Sequence, residues 1–139
     1  MLQRVVRSGL AGLLMLSCLG LLSSTMTARA VEPLDLAGEW ETAFGDMTLT
    51  VKKLTASIYD VVGPYGVRGG RVLGAIRGRV LNGVWAQSEG SQKCNAKALD
   101  GSEYWGNAVF EFAEDGQTFT GLWTYCDGVP NRPWDGNRP

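Results

Sequence analysis

Four aromatic residues of this chain stand at the end of one recurring frame: an apolar residue, any residue, glycine, any residue, a ring. The frame is filled by Leu36-Ala37-Gly38-Glu39-Trp40, Val61-Val62-Gly63-Pro64-Tyr65, Leu81-Asn82-Gly83-Val84-Trp85 and Phe119-Thr120-Gly121-Leu122-Trp123. Val72-Leu73-Gly74-Ala75-Ile76 is a looser copy with an aliphatic end. A period of two puts the apolar residue, the glycine and the ring on one face of a strand. Brought together, Trp40, Tyr65, Trp85 and Trp123 would wall a pocket for an apolar, aromatic or sugar ligand, because small-molecule pockets are mostly apolar with a few polar groups. The next inward positions, Thr42, Gln87 and Tyr125, would orient it. The competing reading is that the rings fill the space the glycines leave and make the core.

Catalytic chemistry finds little to work with. The chain has no histidine, so a Ser-His or Cys-His pair cannot form. Paired carboxylates remain. Glu39 and Glu41 share the face opposite Trp40, however, and Glu114-Asp115 falls in a turn. The expectation is a protein that is not an enzyme and needs no cofactor. Cys94 and Cys126, without histidine, fall short of a zinc ligand set.

The elements that must hold the rings are strands. Met47, Leu49 and Val51 alternate with Thr48, Thr50 and Lys52, and Ala108, Phe110 and Phe112 with Val109 and Glu111. Turn chemistry falls between them at Gly45-Asp46, residues 66–70, Arg77-Gly78-Arg79 and Asp115-Gly116. The tally is about eight short strands at hairpin spacing with no helical period. This predicts an all-β, antiparallel up-and-down meander, closed or nearly closed into a barrel. In such a meander the four rings fall on strands one, three, five and seven, which run the same way, and form one layer near one end. The glycines beneath let neighbouring rings lie over the backbone. Two segments break the pattern: a long polar connection at 88–103, and a Gly-, Pro- and Asn-rich tail at 127–139 expected to be irregular, with Trp134 its anchor.

Residues 1–30 read as a secretory signal. Arg4 and Arg7 precede a Leu-rich run at 10–22, and Ala28-Arg29-Ala30 supplies the small residues of a cleavage site. The run is short of the roughly 20 apolar residues that span a bilayer. Lipidation at Cys18 is the minor alternative, with Met15 where a lipobox prefers leucine. Export to the periplasm or the extracellular space puts Cys94 and Cys126 in an oxidising compartment and makes them a disulfide. Cleavage removes Arg4, Arg7 and Arg29 and leaves all 14 acidic residues. The mature domain, 31–139, is therefore net acidic and ill suited to nucleic acid. Arg68, Arg71, Arg77 and Arg79 form the one basic cluster. Outward-facing Leu73, Val84, Val109 and Leu122 would suit a partner protein, or contact between copies of the chain, if they are contiguous.

The opening of the mature domain, Gly38-Glu39-Trp40-Glu41-Thr42-Ala43-Phe44-Gly45-Asp46-Met47-Thr48-Leu49, resembles the first hairpin of avidin-type biotin binders. It is also similar to the Gly-x-Trp that opens lipocalin barrels. The resemblance implies an up-and-down barrel of eight or nearly eight strands that takes a small molecule in its mouth. Thr42 and Asp46 stand where avidins carry an Asn and a Ser that hydrogen-bond biotin.

The leading functional expectation is non-catalytic binding of a small ligand at the aromatic end, the site comprising Trp40, Thr42, Tyr65, Trp85, Gln87, Trp123 and Tyr125. The alternatives are an exported enzyme inhibitor that uses the disulfide-tied loop or the outer face, and a structural envelope component.

Overall fold

The computed structural model describes residues 29–66, 68–98 and 100–139. The expected leader and Cys18 lie outside these residues. A short 3-10 helix, Pro33–Leu36, leads into seven antiparallel strands in chain order: β1 Gly38–Thr42, β2 Met47–Lys53, β3 Tyr59–Tyr65, β4 Gly70–Arg77, β5 Val80–Gln87, β6 Tyr104–Phe112 and β7 Thr118–Trp123. Each strand pairs with the next, as the alternation and turn chemistry require. No helix among the described residues is long and apolar enough to cross a membrane.

The sheet does not close by pairing β7 with β1 directly. The tail does it. Arg132–Pro133 (β8) and Gly136–Asn137 (β9) both run along β7 in one register, with Leu122 opposite Pro133 and Phe119 opposite Gly136. Strand β9 also pairs with β1 through Glu41 and Thr42. Strands β1 to β7 and β9 thus form an eight-stranded barrel, and β8 is one extra strand. The tail expected to be irregular carries the closing strand. Two-residue strands that include Pro133 and Gly136 are too short to alternate, so no period marks them.

The inward faces follow the frame. Val61, Gly63 and Tyr65 are buried on β3, and Phe119 and Gly121 on β7, while the residues between them are exposed. Of the frame's glycines, Gly121 makes room for a ring as expected, whereas Gly63 lies against Leu49 and Met47 and Gly83 against the Leu73 carbonyl; Gly70 and Gly106, outside the frame, make room for Tyr65 and Trp85. A Cβ on Gly70 would meet the Tyr65 ring at 2.8 Å, one on Gly106 the Trp85 indole nitrogen at 2.7 Å, and one on Gly121 the Phe110 ring at 2.6 Å. On the outer face, Leu73 lies between Val62 and Val84, and Val109 lies beside Leu122, but Val84 pairs with Asn107 and Val109 with Asn82, so the apolar positions form two groups, on β3 to β5 and on β6 and β7.

The end nearer the helix is packed solid. Trp40 touches Phe112 and Phe119 at centroid distances of 5.2 and 5.5 Å, and its indole N–H donates to Leu36 O at 3.0 Å. Arg138 lies over the Trp40 ring, 4.3 Å from its centroid. Its guanidinium donates to the carbonyls of Asp35 at 2.6 Å and Ala37 at 3.0 Å. The short backbone seam between β9 and β1 is thereby tied to the helix by a side chain.

Removing those charge-assisted hydrogen bonds should open the seam. Arg138→Met keeps much of the aliphatic contact with Trp40 and is expected to lower unfolding free energy by about 2–3 kcal/mol. Faster amide exchange should be confined at first to β1, β9 and the helix, which hydrogen-exchange mass spectrometry resolves.

Candidate functional site

The opposite end of the barrel is hollow. A cavity of about 200 Å³ is walled by Tyr65, Trp85, Trp123 and Tyr125, with Phe44 and Trp134 completing the aromatic lining. Gln87, Arg68, Gly90 and Ser91 supply the rest. The rings meet edge to face: Trp85 and Trp123 at 5.6 Å, Trp123 and Tyr125 at 4.9 Å, Phe44 and Trp134 at 5.0 Å, Tyr65 and Trp134 at 4.8 Å. Such contacts are favourable beyond the area they bury and fix ring orientation.

The stagger of the strands explains which rings gather here. Closing a sheet into a barrel tilts its strands, so residues directly opposite one another lie at different heights. Across β4, Trp85 pairs with Val72 and thence with Gly63, two residues before Tyr65. Across β6, Trp123 pairs with Ala108 and thence with Gly83, two residues before Trp85. Each step back along the strand offsets the tilt, and the three rings reach one level. Trp40 takes no such step: it pairs with Met47, which pairs with Tyr65 itself. It therefore lies one layer deeper, in the packed end.

Of the seven residues expected at the site, Tyr65, Trp85, Gln87, Trp123 and Tyr125 line the cavity, and Trp40 and Thr42 do not. The Thr42 hydroxyl is spent on the hairpin turn, donating to Gly45 O at 2.7 Å and accepting from Phe44 N at 3.1 Å. Asp46 is exposed and also lies outside the lining. Phe44, Arg68, Ser91 and Trp134 are additions. Phe44 could have been found, since it continues the inward series Trp40, Thr42, Phe44. Trp134 was legible as a tail anchor but not as part of the site, because its position depends on the register of β8 and β9 along β7.

The polar groups are mostly held. Gln87 Nε2 donates to Tyr65 Oη at 3.1 Å, Trp85 Nε1 to Thr124 O at 2.9 Å, and Ser91 Oγ lies 2.9 Å from Tyr125 Oη. The exception is Trp134, 2% exposed, whose Nε1 is buried without a hydrogen-bond partner among the described residues. An unpaired buried donor costs about 1–3 kcal/mol. Burial pushes the Tyr65 phenol up to about 12 from 10.0, against smaller opposing effects of Gln87 and the Arg71 charge.

The long connection forms one wall. Cys94 and Cys126 are disulfide-bonded with Cα atoms 5.5 Å apart. Cys94 N donates to Glu103 O and Cys126 N to Trp105 O, both at 2.8 Å. Arg71 pairs with Asp100, and Ser102 Oγ donates to Gln87 O. Burial alone would raise the Asp100 carboxyl. Hydrogen bonds from the Ser102 amide and Arg71 outweigh it and hold the group below its ordinary value. These ties bring Gly90 and Ser91 to the cavity. The basic cluster is dispersed: Arg68 faces Glu89 at 3.7 Å, Arg71 faces Asp100, Arg79 donates to Phe112 O, and Arg77 is exposed.

Two outcomes follow. The Tyr65 phenol holds its proton more tightly in the folded state than in the unfolded one. The stability this contributes is whole below about pH 10 and is lost as pH rises to about 12. The loss is about 2–3 kcal/mol, and Tyr65→Phe should remove it when urea unfolding is followed across that window. The disulfide closes a separation of 32 residues. Its removal in Cys94→Ala/Cys126→Ala should lower stability by about 3–4 kcal/mol, with the circular dichroism of the barrel retained and loop amides at 88–103 exchanging faster. Compared with protein-family models, curated proteins and solved structures, the chain matches none.

Proposed function

We propose that this domain is an exported, non-catalytic binding protein that takes a single-ring small molecule into the open end of its barrel. The observation that carries the reading is the hollow: about 200 Å³ bounded by six aromatic rings. Protein interiors pack to crystal-like density, so a core filled by these rings would leave no space of this size among them. Size sets the ligand class. An apolar cavity of about 150 Å³ holds benzene, and drug-sized ligands occupy about 300–1,000 Å³. One ring with a small substituent fits; an extended lipid chain does not. The resemblance of the first hairpin to avidin-type and lipocalin barrels agrees with a ligand in the mouth. Biotin's avidin-type contacts have no counterpart, since Thr42 and Asp46 lie outside the lining. The Cys94–Cys126 disulfide fits the oxidising compartment to which the leader would direct the chain.

The test is thermal unfolding of the oxidised protein against monocyclic aromatics and monosaccharides, with biotin included. A ligand at a hundred times its dissociation constant stabilises by about 2.7 kcal/mol, several degrees in a domain of this size. The expected result is a hit that Tyr125→Leu weakens at least tenfold, with the unliganded melting temperature within a few degrees of wild type. A cooperative transition that no compound moves would overturn the reading.

A further inference from the structure

The cavity lining is one-sided in its hydrogen bonding. It contains one cation, Arg68, and no carboxylate. Tyr65 Oη accepts from Gln87, and its own proton has no acceptor among the described residues. Because burial pushes that phenol up to about 12, it remains a donor at any ordinary pH. Against these stand few acceptors: the Gln87 carbonyl and the Ser91 and Tyr125 hydroxyls, the last two already facing each other at 2.9 Å.

From this asymmetry we infer that the ligand is a planar monocyclic carboxylate, its ring among the aromatic walls and its carboxylate reaching the Tyr65 hydroxyl and Arg68. The inference rests on the binding function proposed above and names its ligand class. Two rival classes fit worse. A sugar presents several hydroxyl donors and needs acceptors in return, which this lining lacks. An aromatic cage can also hold a cation over its ring faces. Here the Arg132 guanidinium already lies over Trp123 and Tyr125, 5.3 and 5.1 Å from the ring centroids, and a second cation would meet repulsion from Arg68 as well. Arg68 is free to turn to a ligand because its present partner, Glu89, is exposed and 3.7 Å away. An exposed pair of that kind is worth little and is readily exchanged.

Benzoate, benzamide and benzamidine share one planar shape and differ in charge, so calorimetric titration of the oxidised protein with the three isolates the effect. Benzoate should bind tightest, with benzamidine weaker by about tenfold or more. Arg68→Gln, at an exposed position, should reduce benzoate affinity about threefold to fivefold and leave benzamide unchanged. Tyr65→Phe should weaken benzoate and benzamide alike, since both offer an acceptor to the lost O–H. Benzamidine binding as tightly as benzoate would overturn the carboxylate inference and leave the single-ring pocket standing. Benzoate affinity indifferent to Arg68→Gln would remove the charge contact from it. Failure of all three compounds to bind, with biotin and monosaccharides also inert, would bring down the pocket itself.

Discussion

Everything in this molecule depends on how the sheet closes. A β-sheet with free edges exposes rows of unpaired amides and carbonyls, and a meander of seven strands has two such edges, on β1 and β7. Residues 132–138 fill the gap. The fill is thin in backbone terms, two residue pairs on either side of β9. Side chains complete it from inside and outside. Trp134 turns into the barrel against Phe44, Tyr65 and Phe110, and Arg138 clamps the helix carbonyls over Trp40. Asp135 adds a hydrogen bond to the Gly121 amide at 3.0 Å. The segment that removes the edges thus anchors both ends of the interior: Arg138 seals the packed end and Trp134 bounds the hollow one.

A second constraint follows from closure. The interior of an eight-stranded barrel has room for side chains to fill it and little more. This one places Trp40, Trp85, Trp134 and three phenylalanines inside. That load is admissible only because inward positions beside the rings carry no side chain. Gly121 shows the limit: a Cβ there would strike both the Phe110 ring and the Trp134 carbonyl. Rings and glycines are therefore two halves of one packing solution.

That pairing is why so much of the fold was legible. Alternation and glycine spacing marked the strand-forming segments, and the turn residues marked the hairpins, because each is a local consequence of a half-buried strand. The even pair of cysteines marked the disulfide through compartment and count. What escaped was set by register. The recurring frame suggests one level for all four rings, yet Trp40 stands a layer below Tyr65 because β1, β2 and β3 pair them in one row. The frame records spacing along a strand and is silent on stagger between strands. The closing strand escaped for a related reason: its pairing is specified by Trp134 seated over Gly121 and by Arg138 reaching Asp35, contacts made across the whole chain.

The unpaired indole N–H shows what closure of the sheet costs. A buried donor without a partner opposes folding, and here it sits on the segment that closes the barrel. Trp134 nonetheless holds its place, because its ring touches Phe44, Tyr65 and Phe110 and its backbone amide donates to Gly121 O at 2.8 Å. The seam therefore tolerates an unfavourable polar group for the sake of the ring that carries it.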